Sequence, residues 1–105
     1  MRFEAEVRRG EGTDSKRDWT EAQEALGYLA YPGTLNVKLN EPFPMQDGVT
    51  IFDFFSCTPA TIGGIRGHLC TIKESGSPRQ GFLVAPVRLR DALKLKHKSK
   101  VEVIV

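Results

Sequence analysis

Apolar residues in this chain come in short runs, and glycine, proline or a polar loop cuts each run off. Phe3-Glu4-Ala5-Glu6-Val7 alternates with a period of two, the pattern of a strand with one face in a core and one in water. Thr34–Leu39 repeats that pattern, and Val49–Cys57 is rich in β-branched and aromatic residues. Ile65–Lys73 returns after the Gly63-Gly64 turn, Gly81–Val84 is a short buried run, and Lys100–Val105 closes the set. Residues 40–48 carry Pro42, Pro44 and Asp47-Gly48 and are expected to be irregular. Helical patterning is confined to two short stretches. In the first, Asp18 is the expected N-cap with Glu21 three residues on, Trp19, Ala22, Ala25 and Leu26 form the core face, and Gly27 ends the helix. The second is expected from Pro86 to Leu93. Short, closely spaced strands with no βαβ rhythm predict a mainly β chain closed into a small barrel, not a doubly wound sheet.

At 105 residues the chain has room for one domain, 1–105, around one core. A hydrophobic fraction of 40% and a charged fraction of 27% exclude the disordered class. No apolar run has the length of a membrane-spanning helix or a signal-peptide core, so a cytoplasmic protein with no membrane partner is expected. Cys57 and Cys70 lack metal-ligand spacing and belong to no dense cysteine framework, so both are expected to be reduced and buried. His68 and His97 make no zinc-like arrangement with them. The net charge of +2 does not argue for nucleic acid as a partner. Its distribution is uneven, however: Arg88, Arg90, Lys94, Lys96, His97, Lys98 and Lys100 crowd the last fifth of the chain. The lysines read as a solvated surface, and the arginines, with planar multi-donor heads, as phosphate ligands.

Two segments carry candidate chemistry. In Tyr31-Pro32-Gly33-Thr34-Leu35-Asn36-Val37, Pro32-Gly33 is a tight turn, after which Leu35 and Val37 take one strand face and Thr34 and Asn36 the other. Two uncharged oxygens beside a rigid turn suit Mg²⁺, which takes few protein oxygens when it bridges nucleotide phosphates. A Thr-x-Asn face is equally at home on a solvated strand edge. The loop Arg8-Arg9-Gly10-Glu11-Gly12-Thr13 can converge backbone N–H groups on an anion, and a plain hairpin turn would use the same glycines.

The order of these segments resembles the archaeal CTP-dependent riboflavin kinases. The resemblance runs through Gly10-Glu11-Gly12, Ala25-Leu26-Gly27-Tyr28, the Tyr31–Val37 segment, Cys57-Thr58-Pro59-Ala60 with Ile62 and Gly64, and Ala85-Pro86-Val87-Arg88-Leu89-Arg90-Asp91-Ala92-Leu93. It implies a six-stranded closed β-barrel of the cradle-loop type with two short helices. It also implies transfer of the CTP γ-phosphoryl group to the primary hydroxyl of riboflavin, giving FMN and CDP. By the same resemblance Thr34 and Asn36 are the Mg²⁺ ligands. Arg8, Arg9, Gly10, Glu11, Gly12 and Thr13, with Val87, Arg88, Leu89 and Arg90, hold the nucleotide.

The chain departs from that family's pattern in places that matter. Arg8 stands where a further glycine is usual, either crowding the backbone approach or adding a phosphate contact. On the acceptor side Phe82 takes the position of an acidic residue, and Cys70-Thr71-Ile72-Lys73 replaces a basic residue followed by proline. Ser75 or Ser77 stands in for a threonine at the flavin phosphate. Phe82 reads as a stacking surface for a flavin or as core, and core is the commoner role. No catalytic base is assigned. The acceptor is therefore riboflavin or another small alcohol, a non-catalytic nucleotide- or nucleic-acid-binding module is the alternative, and the protein is expected to be a monomer.

Overall fold

The computed structural model describes residues 1–8, 18–31, 35–42, 48–53, 55–72 and 79–105. Its strands are β1 (Arg2–Val7), β2 (Leu35–Leu39), β3 (Val49–Ile51), β4 (Phe55–Ile62), β5 (Ile65–Ile72), β6 (Gln80–Val84) and β7 (Lys100–Ile104). Two helices accompany them, α1 (Thr20–Leu26) and α2 (Leu89–Ala92). All strand pairings are antiparallel, in the order β3-β4-β5-β6-β2-β1-β7. The end of β4 pairs again with β7, Thr61 with Ile104 and Ile62 with Val103, which closes six strands into a ring. β3 lies outside that ring, on the other end of the same β4 edge. The fold is thus a mainly β, closed six-stranded barrel of the cradle-loop type with two short helices.

Alternation along the strands fills the barrel. Phe3, Ala5 and Val7 of β1, Leu35, Val37 and Leu39 of β2, and Val101 and Val103 of β7 point inward and are buried. They meet Ala60 and Ile62 of β4, Leu69 of β5 and Leu83 of β6. On β1, β2 and β7 the alternate residues face outward and are mostly charged or polar, as a half-solvated sheet requires. β6 breaks the alternation, with Phe82, Leu83 and Val84 all buried. The cause is α1, which lies over the outer face of β3–β6. Trp19, Ala22 and Leu26 cover Ile51, Cys57, Cys70, Phe82 and Val84 and make a second apolar cluster outside the barrel. Gly27 ends α1 in the left-handed region at φ 86°, donating to the Gln23 carbonyl, as its position after Leu26 predicts. The N-cap of α1 is Trp19 and not Asp18 as expected; Asp18 sits one residue ahead of it and accepts from the Thr20 backbone N–H at 3.0 Å.

Four further expectations from the sequence are corrected. Val49–Cys57 is not one strand, because Phe52 and Asp53 both take positive φ and turn the chain back into the β3–β4 hairpin. The Phe52 and Trp19 rings meet edge to face with centroids 5.2 Å apart, which holds that turn under α1. The second helix is a single turn, Leu89–Ala92, so Pro86 and Val87 precede it in irregular backbone. Ala25 is exposed, outside the helix face that Ala22 and Leu26 bury. Lastly, Cys57 and Cys70 are not free thiols. They stand directly opposite each other on β4 and β5, with Cα atoms 4.1 Å apart, and form a disulfide. Sequence spacing alone cannot reveal that register. No described helix is long and apolar enough to cross a membrane.

Candidate functional site

The strand register lines up a row of residues across the outer face of the barrel. Val49 pairs with Cys57, Cys57 with Cys70, Cys70 with Phe82, and Phe82 with Asn36. The row continues to β1, where the Arg8 backbone N–H donates to the Asn36 carbonyl at 2.8 Å. Cross-strand neighbours in one row share a face, so Arg8, Asn36 and Phe82 stand side by side. The row is apolar and covered at its Cys70–Phe82 end, and it opens to polar groups at Asn36 and Arg8.

Asn36 is half-buried and lies between Leu35 and Val37, whose side chains fill the barrel, so its carboxamide is turned outward. Phe82 is only 8% exposed and meets the Phe55 ring edge-on at 4.8 Å. It is a core residue at the rim of the second cluster, and its packing leaves little ring face for a ligand.

The Ala85–Arg90 segment reaches the same end of the barrel by a different route. β6 runs antiparallel to β2, with Leu83 opposite Leu35, so its last residue lies beside the start of β2. Two hydrogen bonds tie this exit to the approach of the Tyr31–Val37 segment. The Tyr31 N–H donates to the Ala85 carbonyl at 2.8 Å, and the Tyr28 hydroxyl lies 3.3 Å from the Val84 carbonyl. Beyond Ala85, Val87 is 42% exposed, whereas Leu89 is buried in the barrel and can offer a ligand only its main chain. The Arg88 guanidinium pairs with Asp91 at 3.2 Å on an exposed surface, a bond a phosphate could replace at little cost. Arg90 is half-buried.

The basic end of the chain comes to this place too. Lys98 donates its N–H to the Val7 carbonyl, and Val7 donates to the Ser99 carbonyl, both at 2.7 Å. The end of β1, the start of β2, the end of β6 and the approach to β7 therefore converge, with Arg8, Arg88, Arg90 and Lys98 on them. Such an end suits a polyanion. Arg9, Gly10, Glu11, Gly12, Thr13, Thr34, Ser75 and Ser77 lie outside the described residues.

Among the described residues no group of three or more His, Cys, Asp or Glu side chains could hold a metal ion. A carboxamide oxygen beside a guanidinium is a poor site for a bare divalent cation. It does suit a Mg²⁺ that arrives wrapped in phosphate oxygens and needs few protein ligands. Asn36 fits that use.

The family profile CTP-dep_RFKase, described as domain of unknown function DUF120, matches residues 16–105. The chain belongs to the CTP-dependent riboflavin kinase family. Among curated relatives, a protein of Thermococcus kodakarensis named riboflavin kinase is 34% identical over 99 residues, covering 79% of this chain and 47% of that protein. A riboflavin kinase of Methanocella arvoryzae is 33% identical over 90 residues, covering 74% of this chain and 42% of the relative. One of Pyrococcus abyssi is 32% identical over 113 residues, covering 91% and 53%. The chain thus spans about half the length of the curated riboflavin kinases it matches. Within this riboflavin kinase family fold, the row Arg8–Asn36–Phe82 is the feature that sequence alone left undrawn, because it depends on the pairing of three strands distant in sequence.

Proposed function

We propose that residues 1–105 form one Mg²⁺-dependent phosphotransferase domain that moves the γ-phosphoryl group of CTP to the primary hydroxyl of riboflavin, giving FMN and CDP. The observation that carries this reading is the convergence of Arg8, Asn36 and the Ala85–Arg90 segment at one barrel end, in a chain of this family. Thr34 and Asn36 would hold the ion, which would supply charge neutralisation to the phosphates. The Arg8–Thr13 loop and the Val87–Arg90 backbone would hold the nucleotide, and Ser75 and Phe82 would border the acceptor. In the reaction the hydroxyl oxygen bonds to the γ-phosphorus as the bond to the β–γ bridging oxygen breaks. CDP leaves with that electron pair, and the hydroxyl proton passes to solvent.

Positioning and charge stabilisation supply most of the catalysis of such a transfer. A loose transition state asks little of a base, which is consistent with a buried phenylalanine at position 82. The test is mass spectrometry for FMN after mixing the protein with riboflavin, CTP and Mg²⁺. FMN formed with CTP in preference to ATP, and lost in Asn36→Ala, is the expected result. No nucleotide preference and no FMN would overturn the assignment.

One observation favours a second reading, the same nucleotide chemistry with a different small alcohol. Phe82 is packed against Phe55 where the resemblance would place a carboxylate facing the flavin. Acceptor choice is set by such pocket contacts. Quenching of flavin fluorescence separates the two: CTP binding without riboflavin binding selects the second.

A further inference from the structure

Arg8 closes the cross-strand row at the open end, and its side chain is incompletely used. One terminal nitrogen, Nη2, pairs with Glu6 Oε1 at 3.1 Å along the same strand face. Glu6 itself lies opposite Lys38 of β2 and Lys100 of β7 in the strand register, and Lys100 pairs with Glu4. The Nε–H of Arg8 is shielded from solvent and has no hydrogen-bond partner, alone in this among the side-chain polar atoms of the described residues. A buried donor on a charged group is costly to leave unmet, so a position that keeps one is suited to an incoming acceptor. The backbone bond from Arg8 to the Asn36 carbonyl fixes the root of that side chain beside the carboxamide assigned to the metal.

We propose that Arg8 binds the terminal phosphate of the nucleoside triphosphate, its unmet Nε–H donating to an oxygen of the phosphoryl group that is transferred. Glu6 acts as a positioning residue: it holds Nη2 along the strand face and leaves the Nε–H unengaged. The proposal rests on the nucleotide reading above and deepens it, because it assigns Arg8 to the third phosphate and not to the base, the ribose or the first two phosphates. A guanidinium at that place offers a directional donor that lysine, a compact point charge, does not reproduce.

Isothermal titration of the whole chain with CTP and with CDP, in Mg²⁺, tests it. The wild type is expected to prefer CTP. Arg8→Ala should lose about ten- to a hundredfold in CTP affinity while CDP affinity stays within about twofold, so that the preference collapses. Arg8→Lys should recover only part of the difference. Circular dichroism on each variant establishes that the barrel is intact. If wild type and Arg8→Ala show the same CTP-to-CDP ratio, Arg8 does not touch the third phosphate, although the kinase reading stands. If the wild type binds neither nucleotide, the kinase reading and this assignment fall together.

Discussion

The Tyr28 hydroxyl lies 2.8 Å from Nδ1 of His68 and 3.3 Å from the Val84 carbonyl oxygen. A phenol has one proton to give. Both contacts are good only when His68 carries its proton on Nδ1 and donates to Tyr28, which then donates to Val84. The two bonds join the residue after the α1 cap to β5 and to the end of β6, and so tie together the segments that frame the candidate nucleotide site. Tyr28→Phe removes this link and leaves His68 Nδ1 without its partner. It should cost about 1–3 kcal/mol, read from urea unfolding, and weaken CTP binding without abolishing it.

The same pair makes stability depend on pH at both ends. Burial holds His68 below its ordinary value of 6.5, so the unfolded chain takes up that proton first as pH falls. The contribution of His68 is therefore complete above about pH 6.5 and declines as pH drops towards its lowered value in the fold. Burial pushes Tyr28 up to about 12 from 10.0, so on the alkaline side stability falls between those two values. Urea midpoints followed across pH should show the acid decline in the wild type and a shallower one in His68→Gln.

Cys57 and Cys70 are 13 residues apart in sequence, joined through the β4–β5 hairpin. A loop of about that size gives up to about 3 kcal/mol by restricting the unfolded chain. Because the hairpin is already paired along its length, reduction should lower stability by no more than that and leave the far-ultraviolet spectrum unchanged. Alkylation of unfolded, unreduced protein should add no label, and the same treatment after reduction should add one per cysteine.

Phe82 tests the difference between packing and acceptor binding. Phe82→Leu keeps an apolar group against Phe55 and should cost less than about 2 kcal/mol, with CTP affinity unchanged. Phe82→Asp places a carboxylate under α1 and should unfold the chain at lower urea than Phe82→Ala, which itself should cost about 3–5 kcal/mol. Riboflavin binding that fails in Phe82→Leu at full stability would make the ring part of the acceptor site.

The barrel was legible in the sequence where one strand face is wet. Phe3–Val7, Leu35–Leu39 and Lys100–Ile104 alternate because their outer residues meet water, and their bounds agree with expectation to within a residue or so. Legibility failed where α1 covers the outer face. There β4 to β6 are buried on both sides, the period of two disappears, and the turn at Phe52-Asp53 carries neither glycine nor proline to announce it. Pro86 misled in the other direction. It suits a helix start, yet the chain remains irregular until Leu89 drops into the barrel core. For the site, Asn36 and the 87–90 segment were readable as motifs. Their nearness to each other, the Cys57–Cys70 pairing and the unmet donor on Arg8 belong to register and packing, which a linear pattern does not encode.

Met1 and Val105 exchange two backbone hydrogen bonds, at 2.7 and 2.8 Å, at the seam where β1 meets β7. A short peptide graft could therefore stitch that seam shut, and fresh ends could be cut at Gly63-Gly64, the tight bend between β4 and β5. Such a rewired molecule would keep every strand neighbour while reversing which half of the barrel leaves the ribosome first.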